Sequence, residues 1–460
     1  MILKIFSYLP IFLQNFIISF YGFYWYRRRY SGVFKKNLIK FKNREKFTSQ
    51  QWYKYQEKEF RKLLVHAFTN VPFYKKKYTK AGITAKKLEK FNLKDLNTLP
   101  ILTKQELRRF GTTTLLSNKI DKKGTFFSSS GSTGTPTKIY FSRKFHQKWS
   151  AVFEARIRNW AGVTYKSPRA TIGGRRVLPR SNQNAPFHRY NFIEKQIYFS
   201  AYHLSINTID DYINAIRKYK IKYLTGYAKS IYLLSFLARK KNIPVPKLNV
   251  VITSSEKLTN EMRNLIGEVF DCNVFDSYSG VEACGLFSEF KSGELLDNPD
   301  VGITEIVDED FNPVQEGGKG QIISTGLLNF DQPLIRYMIG DLATLKSNNS
   351  ENININMKVI KSVDGRREDI IQGPDGRLMV RFHSLFIDIL GLVNSQIIQE
   401  TKTDFIFKLV VDKTYNISQE KIISKRMYSQ IGRVNISFCY VESIKVSKNG
   451  KYKSIISKVK

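Results

Sequence analysis

The stretch NVVITSSEKLTNEMRNLIGEVFDCNVFDSYSGVEA, residues 249–283, decides the fold class. An apolar run over 248–253 predicts a buried strand, and residues 274–278 predict a second one. Between them Thr259 is a suitable N-cap for an amphipathic helix. The core face of that helix carries Met262, Leu265, Ile266 and Val269. This strand–helix–strand unit predicts two parallel strands in an α/β sheet.

Polar loops follow both predicted strands, at the point where each strand ends. Ser254-Ser255-Glu256 follows the first strand, and Ser279-Gly280-Val281-Glu282 follows the second. Carboxyl ends of parallel strands meet at one sheet edge, where open α/β sheets bind ligands. The two loops are therefore expected to lie close together. From the residues alone, a solvated loop carboxylate is the simpler interpretation of Glu282.

The segment SSSGSTGTPTK, residues 128–138, lies between short strands predicted over 124–128 and 137–142. Its hydroxyls and glycines allow backbone N–H groups to curl around an anion, and Lys138 can neutralise charge. Pro136 excludes a Walker A loop, because that pattern needs glycine five residues after Gly131. A plain hairpin turn is the alternative; the density of hydroxyls favours phosphate binding.

The composition predicts a multidomain globular protein with a large positive charge. The chain has 460 residues and is 42% hydrophobic, which favours two or more domains and excludes wholesale disorder. Lys plus Arg total 75 against 39 Asp plus Glu, a net charge of +36. Nucleic acid, a membrane surface and phosphate-bearing substrates all fit this charge, and so does a Lys-rich solvated surface that serves no partner. Nucleic acid is disfavoured, because the basic residues are dispersed and no recognition module is evident.

The three cysteines predict a reducing compartment. Cys272, Cys284 and Cys439 form no CxxC pair, so neither disulfides nor a structural zinc site are expected.

The N-terminal stretch 5–26 carries no charge and is followed by Arg27-Arg28-Arg29. Three interpretations stay open: a helix in the membrane interface, a membrane span, or an apolar element packed on the protein. The arginines are expected to face anionic lipid. No small-residue cleavage site precedes them, so a cleaved signal peptide is not predicted.

Later segments predict a helix that Thr208 caps, and a β-α-β tail. The tail comprises strands over 403–411 and 434–440 around a helix over 418–431. A separate small domain hinged near residue 368 is expected.

Five segments in order resemble the adenylate-forming ligases of the phenylacetate–CoA ligase-like branch. They are SSSGSTGTPTK at 128–138, DSYSGVEA at 276–283, PLIRYMIGDLA at 333–343, GRREDII at 365–371 and NGKYKS at 449–454. Residues 56–74 and 186–205 resemble the capsular-polysaccharide CapK-type subgroup. The resemblance covers nearly the whole chain.

The resemblance implies an α/β fold with a large N-terminal multi-sheet α/β domain and a small C-terminal α+β domain that swivels about a hinge. The expected units are 1–80, a membrane-proximal helical segment; 81–367, the ATP- and acyl-binding domain; and 368–460, the mobile domain.

The resemblance also implies roles for individual residues. The expected phosphate-binding residues are Ser129, Ser130, Gly131, Ser132, Thr133, Gly134, Thr135 and Lys138. Ser255, Glu256 and Tyr278 are expected at the adenine, Asp341 at the ribose with Arg366 nearby, Glu282 at Mg²⁺, and His203 and Gly280 in the acyl pocket. Lys451 is expected to reach the carboxylate and the α-phosphate, and Glu368 to form the hinge. Arg336 is expected to face ATP.

The implied function is activation of a small carboxylic acid as acyl-AMP, using ATP and Mg²⁺, then acyl transfer. CoA, a carrier thiol or a glycan precursor is the expected acceptor, in capsule assembly at the cytoplasmic face of a bacterial membrane. A soluble aryl/acyl-CoA ligase and a catalytically impaired membrane-associated scaffold are the alternatives. Ser279 and Val281 depart from the glycine and threonine usual there, and Glu368 from an aspartate.

Overall fold

A computed structural model describes residues 6, 9–128, 136–173, 177–178, 184–201, 203–290, 293–346, 355–364, 371–374, 378–379, 385–386, 389–442, 444 and 455–459.

The helices are α1 Ile11–Tyr30, α2 Phe34–Arg44, α3 Ser49–Asn70, α4 Pro72–Lys80, α5 Ala85–Glu89, α6 Lys104–Phe110, α7 Arg143–Phe153, α8 Ile209–Lys218, α9 Ala228–Lys240, α10 Asn260–Phe270 and α11 Gln419–Ile431, with a 3₁₀ turn at Leu93–Thr98 and a π-helical turn at Glu154–Arg158.

The strands are β1 Thr125–Ser128, β2 Lys138–Phe141, β3 Arg169–Gly173, β4 His188–Asn191, β5 Gln196–Ser200, β6 Tyr223–Tyr227, β7 Val250–Ser254, β8 Asn273–Tyr278, β9 Phe287–Glu289, β10 Leu295–Asp297, β11 Gly302–Val307, β12 Lys319–Gly326, β13 Tyr337–Leu345, β14 Val359–Asp364, β15 Ile371–Gln372, β16 Leu378–Met379, β17 Leu392–Gln399, β18 Asp404–Val411, β19 Asn435–Tyr440 and β20 Ile455–Ser457.

A twelve-stranded sheet, in the order β11-β12-β13-β14-β10-β9-β8-β7-β6-β3-β5-β4, organises the large α/β part of the chain. Its β8-β7-β6-β3-β5 section is parallel, which confirms the α/β fold class predicted from residues 249–283. The Thr259 hydroxyl accepts from the Met262 amide, so the predicted N-cap of α10 is also confirmed. Thr208 occupies the N-cap position of α8, as predicted, but its hydroxyl donates to the His203 carbonyl and makes no capping hydrogen bond to the helix.

A second sheet, β19-β18-β17-β20, lies near the C-terminal end of the chain. Together with α11 it surrounds a hydrophobic cluster of its own, in which Phe407, Ile423 and Met427 are fully buried. The domain boundaries at 80 and 367 remain a prediction.

Helix α1 packs along β4, the edge strand of the large sheet, and along α7. Within the described residues no helix is long and apolar enough to cross a membrane. The expectation that all three arginines face lipid is wrong for two of them. Arg28 donates to the carbonyls of Phe141 (2.7 Å) and Lys123 (3.2 Å), and Arg29 forms an ion pair with the buried Glu194 at 2.6 Å.

Candidate active site

The loops after β7 and β8 meet at one edge of the large sheet. The two strands are parallel neighbours, with Ser254 opposite Ser277, so the chain leaves both strands at the same level. The loop after β8 carries Glu282. The predicted convergence of these loops therefore follows from the observed pairing.

Glu282 is buried and is held by two hydroxyl groups from distant parts of the chain. Its Oε1 accepts from Thr137 Oγ1 at 3.3 Å and from the Tyr337 hydroxyl at 3.2 Å. Burial and the nearby carboxylate raise the pKa of Tyr337 far above its ordinary value, so the phenol remains a proton donor. Thr137 directly precedes β2 and Tyr337 begins β13, so three segments meet at this carboxylate.

Tyr278 and Asp341 form a second polar pair at this edge. The Tyr278 hydroxyl donates to Asp341 Oδ2 at 2.8 Å. The Tyr278 ring is stacked on Phe287, with centroids 5.2 Å apart and 24° between planes. Burial and then Asp341 raise the pKa of Tyr278 well above its ordinary value. The phenol thus stays protonated and orients the carboxylate.

A bulge in β13 presents Asp341. Gln321 pairs with Leu342 and Ile323 pairs with Met338, so three residues of β13 stand opposite one residue of β12. Gly340, directly before Asp341, has φ of +90°, a conformation that glycine adopts without strain. Bulges redirect side chains next to functional sites, and the bulge places Asp341 within reach of Tyr278.

The hairpin β1–β2 carries the predicted phosphate loop. Ser128 pairs with Lys138, whose backbone carbonyl accepts from the buried Gln332 at 3.1 Å. Gln332 also accepts from the Tyr140 amide at 2.6 Å and donates to the Gly111 carbonyl at 2.7 Å. One amide side chain thus anchors the strand that follows the loop.

The adenine-pocket candidates occupy the loop after β7. Ser255 is exposed and has φ of +69°. Glu256 Oε2 accepts from the Lys229 amide at 3.0 Å, in the first turn of α9. A carboxylate there satisfies a helix N–H group and complements the helix dipole. Glu256 therefore has a helix-capping contact that sequence reasoning did not anticipate.

Gly280 allows the Glu282 carboxylate to lie close to the backbone. A Cβ atom added at Gly280 would stand 2.5 Å from Glu282 Oε2. This contact places Gly280 beside the proposed metal ligand, while its predicted role in the acyl pocket remains a proposal.

His203 lies beyond the carboxyl end of β5 and is buried. Its Nδ1 is 2.7 Å from Ser200 Oγ, and its ring stacks on Phe187 with a centroid distance of 5.3 Å. The imidazole is thus fixed in an aromatic environment, which suits a pocket wall; its role towards an acyl group stays a prediction.

Several predicted residues lie outside the described part of the chain. They are Ser129, Ser130, Gly131, Ser132, Thr133, Gly134, Thr135, Arg366, Glu368 and Lys451. Their roles remain predictions.

Arg336 is not placed as expected. Its guanidinium is buried, pairs with Glu305 at 2.9 Å and donates to the carbonyls of Asn97 and Leu99, each at 2.7 Å. The expectation that Arg336 faces ATP is therefore wrong, because its guanidinium is used within the protein interior.

Asp276, two residues before Tyr278, is a half-buried acid that the sequence did not single out. Burial first, and also the charge of Glu289, raise the pKa of Asp276 to about 7, although Thr253 Oγ1 donates to it at 2.8 Å. Arg263 pairs with Glu289 at 3.0 Å. Asp276 is therefore expected to exchange its proton near neutral pH, in the strand that ends at Tyr278.

The donors at Glu282 suit magnesium. Mg²⁺ prefers oxygen ligands, and protein sites for nucleotide-bound Mg²⁺ use one or two carboxylates while phosphates supply the rest. Glu282, flanked by the hydroxyls of Thr137 and Tyr337, provides such a carboxylate. Among the described residues there is no group of three or more His, Cys, Asp or Glu side chains that could hold a metal by itself.

Comparisons with known proteins identify relatives of the chain. The CapK C-terminal domain family matches residues 373–458. Over 466 aligned residues the chain is 26% identical to Protein CapK of Staphylococcus aureus, with 99% of each chain covered. It is 24% identical over 327 residues to a phenylacetate-coenzyme A ligase of Escherichia coli (strain K12), covering 67% of this chain and 69% of that protein.

Solved structures show the same fold. The 2-hydroxyisobutyryl-CoA ligase in complex with 2-HIB-AMP and CoA, in its thioesterification state, matches with a TM-score of 0.60 at 17% identity. The alignment covers 90% of this chain and 91% of that chain. The chain is therefore similar over its full length to Protein CapK, matches the CapK C-terminal domain family at residues 373–458, and shares its fold with this CoA ligase.

Proposed function

We propose that the chain joins a small carboxylic acid to ATP, forming acyl-AMP and releasing pyrophosphate, and then passes the acyl group to CoA or another acceptor. The observation that carries this proposal is the meeting of Glu282, Tyr278 and Asp341 at the carboxyl edge of the parallel strands. Relatives of this chain include phenylacetate-coenzyme A ligases, and the structural neighbour holds both an acyl-AMP and CoA.

Each residue would act on a different part of the nucleotide. Asp341, oriented by Tyr278, accepts hydrogen bonds from the two ribose hydroxyls, since a carboxylate can accept several at once. The Tyr278 ring packs on adenine. Lys138 and the 129–135 loop bind the outer phosphates, as the family resemblance implies.

The chemical step brings a carboxylate towards an anionic α-phosphate, so charge must be neutralised. Glu282 would hold Mg²⁺, which when bound screens the phosphate charge. Lys451 would approach from the C-terminal domain and contact both reacting groups, so that rotation of this domain gates the reaction. The attacking carboxylate oxygen forms a bond to the α-phosphorus. The bond between the α-phosphorus and the oxygen that bridges to the β-phosphate breaks, and pyrophosphate leaves.

The acceptor and the cellular setting are finer proposals. Similarity to Protein CapK over the full length favours a glycan precursor as acceptor and a place in capsule assembly. A location at the cytoplasmic face of a membrane fits this setting. CoA and carrier thiols are the other acceptors to test.

ATP–pyrophosphate exchange across a panel of aromatic, aliphatic and hydroxylated acids tests the proposal. We expect exchange that depends on one class of acid and on Mg²⁺, and Glu282→Gln should abolish most of it. ATP binding without exchange for any acid would instead support the catalytically impaired scaffold. Efficient turnover of aromatic acids with CoA alone, without membrane association, would support the soluble aryl-CoA ligase.

A further inference from the structure

Helix α1 is polar on the side that faces the protein and apolar on the side that faces outward. Its buried residues include Gln14, Ser19 and Gly22, which are polar or small. Its outward residues include Phe12, Phe16 and Phe20, which are 70%, 59% and 74% exposed. A helix on a water-soluble surface shows the opposite arrangement, since apolar side chains normally face the core.

Specific hydrogen bonds on the inner side lock this orientation. Gln14 Oε1 accepts from Arg189 Nε at 2.5 Å, and Asn15 Oδ1 accepts from the Tyr190 amide at 2.9 Å. Ser19 Oγ accepts from the Phe192 amide at 3.1 Å. These side chains accept from one side-chain donor and two backbone donors of edge strand β4 and the residue after it. Rotating the helix would leave these three donors unpaired.

Close packing adds to the constraint. At Gly22 the helix approaches the sheet so closely that a Cβ atom would lie 2.1 Å from Asn191 Nδ2. Glu194, in the turn after β4, binds both Arg29 and Arg169. The helix is therefore held along its length against the protein, with its long axis on the surface.

The apolar surface extends beyond the helix. Phe16 lies 6.4 Å, centroid to centroid, from Phe192, which is itself exposed together with Ile193. Along the helix, a shallow depression of about 550 Å³ is lined by five side chains. They are Phe16, Ile17, Phe20, Tyr21 and Tyr24.

Positively charged residues adjoin this surface, and the N-terminal segment that forms it contains no acidic residue. Residues 1–44 contain nine Lys and Arg and no Asp or Glu. Arg27 is exposed, with its guanidinium 5.8 Å from the Phe23 ring centre. The following helix α2 exposes Lys35, Lys36 and Lys40, and Ile39 beside them.

We propose that the outward face of α1, with Phe192 and Ile193, docks in the plane of an anionic phospholipid bilayer. The phenyl groups would enter the boundary between headgroups and acyl chains, while Arg27 and the lysines of α2 contact lipid phosphates. This inference does not depend on the ligase proposal, because it concerns a surface distant in sequence from Glu282 and Asp341.

A second copy of the chain fits the outward face of α1 less well than an anionic bilayer does. Pairing the face with itself about a two-fold axis would bring two acid-free, lysine-rich segments together, and like charges across an interface oppose association. An anionic membrane complements the same charges.

Vesicle flotation of the full-length protein tests the proposal. The probes are vesicles of phosphatidylcholine alone and of phosphatidylcholine mixed equally with phosphatidylglycerol. We expect binding to the anionic vesicles, and the triple variant Phe12→Ser, Phe16→Ser, Phe20→Ser should lower the partition coefficient at least about a hundredfold. Neutralising Lys35, Lys36 and Lys40 to Gln should lower it by on the order of a hundredfold, about fivefold for each charge.

The control variant is Phe236→Ser with Phe311→Ser, which removes exposed aromatic rings elsewhere. It should bind like the wild type, and thermal melting should show that all variants fold. Equal flotation of the triple variant and the wild type would overturn the proposal. So would a stable dimer that the triple variant dissociates, with no flotation of the wild type, since the face would then join two copies. Loss of acid-dependent exchange alone would leave flotation intact and would count only against the ligase.

Discussion

Tyr278→Phe isolates the hydrogen bond that orients the proposed ribose ligand. The substitution removes only the hydroxyl, which donates to Asp341 Oδ2 at 2.8 Å, and retains the ring that stacks on Phe287. Hydrogen bonds to charged groups contribute about 1.5–3 kcal/mol. If Asp341 binds the ribose only when Tyr278 orients it, Tyr278→Phe should weaken ATP binding on the order of tenfold to a hundredfold.

A double-mutant cycle measured by calorimetry with ATP makes the prediction quantitative. Asp341→Ala alone should weaken binding more than Tyr278→Phe, and adding Tyr278→Phe to Asp341→Ala should then cost little. The expected coupling free energy is about 1–3 kcal/mol. Additive effects of the two substitutions would refute the idea that the phenol acts through Asp341, and unchanged ATP affinity in both single variants would place the ribose elsewhere.

The other predictions concern charged residues of the proposed site and of the protein interior. Glu282→Gln keeps an oxygen that can accept hydrogen bonds from Thr137 and Tyr337 but loses the negative charge. The kcat should therefore fall by about 10²–10³ with ATP affinity little changed. A kcat within threefold of wild type would contradict the proposed role of Glu282. Lys451→Ala should abolish adenylation while ATP still binds, as fluorescence titration can check, and normal exchange would show the assignment wrong. Asp276 has a folded-state pKa raised to about 7 from an ordinary value near 3.8, so the folded protein binds the extra proton and stability should fall as pH rises from about 4 to 7. Asp276→Asn should flatten that slope in denaturant titrations, by up to about 4 kcal/mol, and an unchanged slope would refute the assignment. Arg336→Met removes a buried guanidinium and leaves the half-buried Glu305 without its partner, so it should lower the free energy of unfolding by about 3–5 kcal/mol. Weakened ATP binding at full stability would instead restore the nucleotide role.

Local patterns were sufficient to predict β7, β8 and the helix between them, which are one unit of the five-stranded parallel section. The apolar run before Ser254, the cap at Thr259 and the strand predicted over 274–278 each agree with the observed elements, because helix and strand periodicities are properties of neighbouring residues. The convergence of the loops after β7 and β8 followed from chain topology in the same way.

Contacts between distant segments were not predictable from such patterns. Thr137 and Tyr337 reach Glu282 from 145 and 55 residues away in sequence, and no local signal pairs them. The bulge that presents Asp341 depends on the register between β12 and β13, of which Gly340 was the only visible sign.

The interior position of Arg336 and the orientation of α1 could not be predicted for the same reason. Hydropathy identified residues 5–26 as apolar, but only tertiary contacts reveal that Gln14 and Ser19 face the protein. Arg28 and Arg29 looked like lipid-facing charges because the carbonyls and the carboxylate that bind them lie far along the chain.

Transfer of an isotopic label tests the central claim most directly. The acid that supports exchange is supplied with ¹⁸O in its carboxylate, together with ATP and the acceptor, and the products are analysed by mass spectrometry. Attack of the carboxylate on the α-phosphorus makes its oxygen the bridging atom of acyl-AMP, and cleavage of the acyl carbon–oxygen bond then leaves that oxygen on AMP. We predict AMP carrying one ¹⁸O atom and unlabelled pyrophosphate. Label in inorganic phosphate, with ADP as the nucleotide product, would show attack on the γ-phosphorus and contradict adenylation.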